Sequence, residues 1–373
     1  MGSLFEEAVI GRISMRNRIA RSATWEGMCD KDGAPTERLL ALYEGLAEGG
    51  VGLIVTGYAY VRADGKQLVG KMGIHDDSLV AGLGKAARSV HDRGGRIVAQ
   101  LVHAGGQAKR ASSGLPPVAP SAVSLPNYPE IPGELTPEGI ADIVAAFGRA
   151  AGRAKEAGFD GVQLHGAHGY LVSQFLSPIS NHRTDAYGGP LENRARFLSE
   201  VVCAVRATVG EKYPVWIKLN GDDFMPGGFS HEEACEVARM LEAEGIDAIE
   251  VSGGTAASRD KVPARTKIDA PGKEAYHRAQ ARGIKSRVRI PVGLVGGLRT
   301  PDLMEEILQA GDADFFSIAR PLIREPGLVS RWASGDRSQA SCISCNGCFI
   351  PGFKEGGIYC TQLNVRPTSQ AQS

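Results

Sequence analysis

Short runs of β-branched and other apolar residues recur along the chain, each followed by a stretch whose apolar positions repeat with helical period. The runs predict strands at 19–21, 51–56, 96–102, 161–165, 215–220, 248–252, 292–295 and 314–319. The periodic stretches predict helices at 36–48, 77–92, 137–157, 194–209, 231–244 and 301–310, with Pro137 and Pro301 in first turns that tolerate proline. Eight strand–helix units in strict alternation predict an α/β chain closed into a (β/α)8 TIM barrel. A doubly wound sheet is the competing architecture, but it rarely needs eight units.

Two segments do not fit a minimal barrel. Residues 105–136 are rich in proline and too long for an ordinary connection, which predicts a lid or substrate-side loop. Residues 334–373 hold no barrel unit. The chain is therefore divided into a barrel at 1–333 and a C-terminal extension at 334–373, whose polar end is expected to be disordered.

Composition narrows the classes. Forty-two basic and forty-two acidic residues cancel, so bulk charge argues for neither a nucleic-acid nor a membrane partner. No apolar run approaches the roughly 20 residues of a membrane span. The start of the chain lacks the basic and apolar regions of a secretory signal, and Glu6 stands where a myristoylation motif after Gly2 wants Ser or Thr. A cytoplasmic protein is expected.

The densest chemistry lies in 165–194: His165-Gly-Ala-His168-Gly-Tyr170, then Leu-Ser-Pro, Asn181, Arg183, Asp185, Tyr-Gly-Gly and Glu-Asn-Arg. It follows an apolar strand and precedes a helix, where barrel enzymes carry catalytic groups. His165 and His168, three apart, could be metal ligands of a hydrolase, but no His-Glu-x-x-His motif accompanies them. Asn181, Arg183, Asp185 and Arg194 read as loop-locking groups. Barrels also bind phosphate after strands seven and eight. There the chain has Gly296-Gly297 and Ala319-Arg320, glycines for close backbone approach and an arginine fork for the anion.

The 165–194 block closely resembles the active-site segment of the old yellow enzyme family of flavin-dependent ene-reductases, and the resemblance extends over nearly the whole chain. It implies non-covalent FMN, with NADH or NADPH as reductant and a small enone-type substrate. Ala23, Thr24, Gly57, Gln100, Lys218, Gly296, Gly297, Ala319 and Arg320 match flavin contacts. His165 and His168 match donors to the substrate carbonyl, which polarise the alkene for hydride from flavin N5. Tyr170 matches the acid that protonates the α-carbon. Lys218 stands where relatives carry arginine, keeping the charge but losing the planar fork. Trp25 replaces a small polar residue, and Cys29 is offset by four residues from the cysteine that trimethylamine dehydrogenase bonds to its flavin.

Cys342, Cys345 and Cys348 follow at x2 spacing, with Cys360 after eleven intervening residues. Three closely spaced cysteines with a distant fourth suit an iron–sulfur cube better than a zinc ribbon. The segment resembles the 4Fe–4S site of 2,4-dienoyl-CoA reductase and trimethylamine dehydrogenase, though it differs by a residue in one interval or another. Zinc, or no metal, stays open. With little sequence after Cys360, the dinucleotide-binding domain of those relatives is expected to be supplied separately. The cluster would then exchange electrons with a separate protein. The leading expectation is an FMN-dependent ene-reductase. The alternative is a flavin and iron–sulfur electron-transfer subunit working with a separate reductase. A homo-oligomer stays open.

Overall fold

Eight of the apolar runs form parallel strands because both faces of each are covered, the inner by the barrel core and the outer by helices. The computed structural model describes residues 3–363; Gly2 and the polar tail expected to be disordered lie outside them. In chain order the strands are β1 Ile19–Arg21, β2 Leu53–Val55, β3 Ile97–Val102, β4 Gly161–Gly166, β5 Val215–Asn220, β6 Ala248–Ser252, β7 Val292–Val295 and β8 Phe315–Ile318. Neighbours pair in sequence order, β8 pairs with β1, and β2 pairs with β3, so the sheet closes. A two-residue strand, Ala59–Tyr60, continues beyond β2 against Leu101 and Val102. The (β/α)8 expectation holds.

The helices that cover the barrel are α1 Glu37–Glu48, α2 Val80–His91, α3 Pro137–Glu156, α4 Leu191–Val209, α5 His231–Ala243, α6 Arg278–Lys285, α7 Pro301–Gln309 and α8 Leu328–Ala333. Their placement follows from local rules. In α3, Thr136 caps the first turn through Gly139 N, Pro137 occupies the first turn, and Ile140, Ile143, Phe147, Ala151 and Ala154 form the buried stripe. Burying Phe147 alone contributes roughly 1.5–3 kcal/mol. Ser230 and Glu233 form a full capping box on α5.

Helices α6 and α8 were not foreseen. Nor was a hairpin, Ala8–Ile10 with Ile13–Met15, which packs Ile10, Ile13 and Met15 against Trp216, Ala248 and Phe315 at the N-terminal ends of β5, β6 and β8. Trp216 Nε1 donates to Gly11 O at 3.0 Å. The bottom of the barrel is thereby closed, and its open end is the one formed by the strand C-termini.

Segment 105–136 reaches the central cavity through Gln107. Three more of its residues buttress the signature loop: Arg183 Nη1 donates to Pro120 O and Leu135 O, and His182 N donates to Ser121 Oγ. The loop-locking expectation for its neighbours also holds. Asn181 Nδ2 donates to Phe175 O and Tyr187 O, Asp185 accepts from Arg183, and Arg194 bonds Leu176 O and Glu233.

Candidate active site

The strand C-termini open into a cavity of about 560 Å³, within the roughly 300–1,000 Å³ of cofactor and ligand sites. Its lining draws on the ends of β1, β4, β5, β6, β7 and β8 and on the loops after β2 and β3. Ala23, Thr24, His165, His168, Tyr170, Lys218, Gly296, Gly297, Ala319 and Arg320 all lie on it. Ser344, Asn346 and Phe349 of the C-terminal extension complete the wall, so this segment belongs to the site.

Two expected residues stand elsewhere. Gly57 N donates to Glu26 Oε1 at 2.9 Å, and a Cβ there would lie 1.9 Å from Glu26 Oε2. This glycine makes room for Glu26, which also accepts from Arg21 and Tyr43 and braces the loop after β1. Gln100 is fully buried below the lining.

The turn from β4 is what brings His165, His168 and Tyr170 together. His168 and Gly169 both take left-handed backbone angles, φ 62° and 73°, which fold the chain back after the strand. Side-chain amides hold this conformation: Asn220 accepts from His168 N, while Gln107 and Gln174 donate to Gly169 O. The rings then stand edge to face, His165 to His168 at 5.1 Å and His165 to Tyr170 at 4.8 Å between centroids.

Burial first, then His168, Lys218 and Lys71, hold His165 well below the ordinary imidazole range. Burial, Lys218 and His277 do the same to His168. Both rings are neutral near pH 7, each with one N–H to donate. Ala167 N donates to His165 Nδ1 at 3.3 Å, which places the proton of His165 on Nε2. His168 Nε2 lies 2.7 Å from Ser252 Oγ. Burial raises the Tyr170 phenol above its usual range, partly opposed by its bond to Gln67, so it stays protonated.

Tyr170 has company that the sequence reading missed. Its hydroxyl lies 2.9 Å from Gln67 Oε1 and 3.0 Å from Tyr58 OH; Tyr58 OH donates to Gln67 Oε1 at 2.7 Å. Lys71 Nζ donates to the same oxygen at 3.1 Å and sits 2.9 Å from the Tyr58 ring centroid. These residues come from the loop after β2, which carries no motif.

The opposite end suits an anion. Arg320 Nη1 donates to Arg265 O and Asn346 Oδ1, both neutral acceptors. Gly296 and Gly297 have φ of 144° and 71°, and a Cβ on Gly297 would lie 2.8 Å from Tyr276. Among the buried polar atoms without a partner, Trp25 Nε1, Arg299 Nε and Ser317 Oγ belong to lining residues and Gln100 Oε1 lies beneath.

Among the described residues no three His, Cys, Asp or Glu side chains converge on a point where they could hold a metal ion. His165 and His168 direct nitrogens to Ala167 N and Ser252, so the hydrolase alternative has no ligand set. The four cysteines are free thiols, and all four line one small cavity, with Arg320 on its wall and on that of the main cavity.

Fold and site together define a (β/α)8 barrel with its chamber at the strand C-termini. The chain belongs to the NADH:flavin oxidoreductase / NADH oxidase family, whose model matches residues 3–339. It is 42% identical to a metal reductase of Desulforamulus reducens across 99% of this chain and 56% of that one. It spans about half the length of the curated relatives it matches. A solved 2-naphthoyl-CoA reductase complex superposes with a TM-score of 0.89 at 32% identity, over 96% of this chain and 56% of that one. The old yellow enzyme homologue of Zymomonas mobilis gives 0.79 at 27%, over 95% and 99%. No helix among the described residues is long and apolar enough to cross a membrane.

Proposed function

We propose that this protein is an FMN-dependent ene-reductase that uses NADH or NADPH to reduce C=C bonds activated by a neighbouring carbonyl. The observation that carries this reading is the meeting of two neutral imidazoles and a protonated phenol on one cavity wall. FMN bound in the chamber supplies the hydride. Arg320 and the Gly296–Gly297 backbone would hold its phosphate, and Lys218 would offset negative charge on its pyrimidine side. His165 Nε2–H and His168 hydrogen-bond the substrate carbonyl and favour the negative charge that develops there. His168 donates from Nδ1 in the tautomer whose Nε2 accepts from the Ser252 hydroxyl. Tyr170 holds the proton that goes to the α-carbon. The burial of His165 and Tyr170 keeps water from competing for these donors. The test is NAD(P)H oxidation by FMN-loaded protein: an enone such as 2-cyclohexenone accelerates it if the reading holds, and leaves it at the oxygen-dependent rate if it does not.

The cysteine cavity favours a second reading, an electron-transfer unit with a 4Fe–4S cluster on Cys342, Cys345, Cys348 and Cys360 and an electron-donor protein as partner. What supports it is the shared wall at Arg320, which places the two cavities side by side. Rapid flavin reduction without enone-dependent reoxidation would favour it over the first.

A further inference from the structure

Below the cavity floor, buried polar side chains from five strands and strand ends form one hydrogen-bonded chain. Lys218 Nζ donates to Ser22 Oγ at 2.7 Å and to Glu250 Oε1 at 3.0 Å, and Ser22 Oγ donates to the same oxygen at 2.8 Å. Glu250 Oε2 accepts from Gln163 Nε2 at 2.8 Å, and Gln163 Oε1 accepts from Gln100 Nε2 at 2.7 Å. Glu250, Gln163 and Gln100 have no solvent exposure.

A buried carboxylate is costly for a barrel core and is seldom kept for stability alone. Here it has two consequences. An ionised carboxylate only accepts hydrogen bonds. Gln163 must therefore turn its NH2 to Glu250 and its carbonyl to Gln100. Gln100 in turn spends its NH2 on Gln163, which leaves its Oε1 as an acceptor without a protein partner. At the other end, the same carboxylate clamps Lys218, which lies on the cavity lining, and offsets its charge. One acidic residue thus fixes a cation on the cavity lining and the amide orientations beneath it. A flavin's pyrimidine edge carries the complement to that cation, a carbonyl oxygen.

We propose that Glu250 is a positioning residue for that edge: it aligns Lys218, and it makes bound FMN harder to reduce than an unpaired lysine would. The inference rests on the reading that the chamber holds FMN. In Glu250→Gln the side-chain size is kept but the negative charge beside Lys218 is gone, so electron density arriving at the pyrimidine side meets an uncompensated cation. The test equilibrates wild type and variants, loaded with FMN, against redox dyes. Glu250→Gln raises the equilibrium constant for two-electron reduction at least tenfold, about 30 mV. Glu250→Asp, which retracts the carboxylate by one methylene, raises it about threefold and serves alone if the glutamine variant does not fold. An unchanged or lowered constant in a variant that still binds FMN overturns the role of Glu250. A wild-type protein that binds no FMN overturns the underlying reading instead.

Discussion

Tyr170→Phe isolates the proton-delivery step because the structure lets the hydroxyl go at little structural cost. The phenyl ring keeps its edge contact with His165, whose centroid is 4.8 Å away, and its neighbour Tyr58 at 5.2 Å. What is lost is the bond to Gln67 Oε1 at 2.9 Å and the contact with Tyr58 OH at 3.0 Å. Gln67 Oε1 still accepts from Tyr58 and Lys71, so no buried acceptor is orphaned. The stability cost is then that of one ordinary hydrogen bond, about 0.5–1.5 kcal/mol. Catalysis is hit harder. General acid catalysis is worth about 10²–10⁴-fold, or about 2.7–5.4 kcal/mol of barrier. In stopped-flow mixing, reduction of the variant by NAD(P)H proceeds at the wild-type rate, and reoxidation by 2-cyclohexenone slows by that factor. Reoxidation by a benzoquinone, which needs no carbon protonation, is little changed. Equal enone rates in wild type and variant would refute Tyr170 as the acid.

Other outcomes follow from the same geometry. His165→Ala removes a carbonyl donor rather than the acid, so enone binding weakens and the reduction step slows together, read as a rise in KM with a fall in kcat. Arg320→Ala removes charge-assisted bonds worth about 1.5–3 kcal/mol each, so equilibrium dialysis shows FMN affinity falling at least tenfold. Burial, then Arg265 and Lys218, holds His277 at about 3, and neither ring nitrogen has a partner. The unfolded chain therefore takes up a proton that the folded one refuses. The stability tied to this residue is whole above pH 6.5 and is lost as pH falls from 6.5 toward 3, by up to about 1.4 kcal/mol per unit. His277→Phe flattens the decline in melting temperature between pH 7 and 4.5; an unchanged slope contradicts the assignment. If the cysteine cavity holds a cluster, anaerobically prepared Cys345→Ser loses iron while keeping FMN.

The barrel was legible because its strands are short apolar runs bounded by amphipathic helices. Gly161–Gly166, with all six residues buried, is typical. Helix α6 was not, since in Arg-Ala-Gln-Ala-Arg-Gly-Ile-Lys only Ala281 and Ile284 are buried and no apolar stripe shows. The hairpin at 8–15 escaped because three-residue strands carry too little periodicity. His165, His168, Tyr170 and the phosphate-side glycines and arginine stood out as types at strand ends. The partners of Tyr170 did not: Tyr58, Gln67 and Lys71 meet it through a fold of the loop after β2 that no local pattern encodes. Glu250 lies between. A carboxylate inside Ala-Ile-Glu-Val-Ser signals a buried charge that must be paired, but only the register beside Lys218 identifies the partner.

The account stands most directly on whether the chamber binds FMN and passes its electrons to an activated alkene. Purified protein incubated with FMN, freed of excess and mixed anaerobically with NADH or NADPH tests both at once. The account predicts flavin absorbance that stays with the protein, bleaches on addition of the nicotinamide, and returns when 2-cyclohexenone is added. Protein that retains no flavin, or reduced flavin that the enone does not reoxidise, would contradict it.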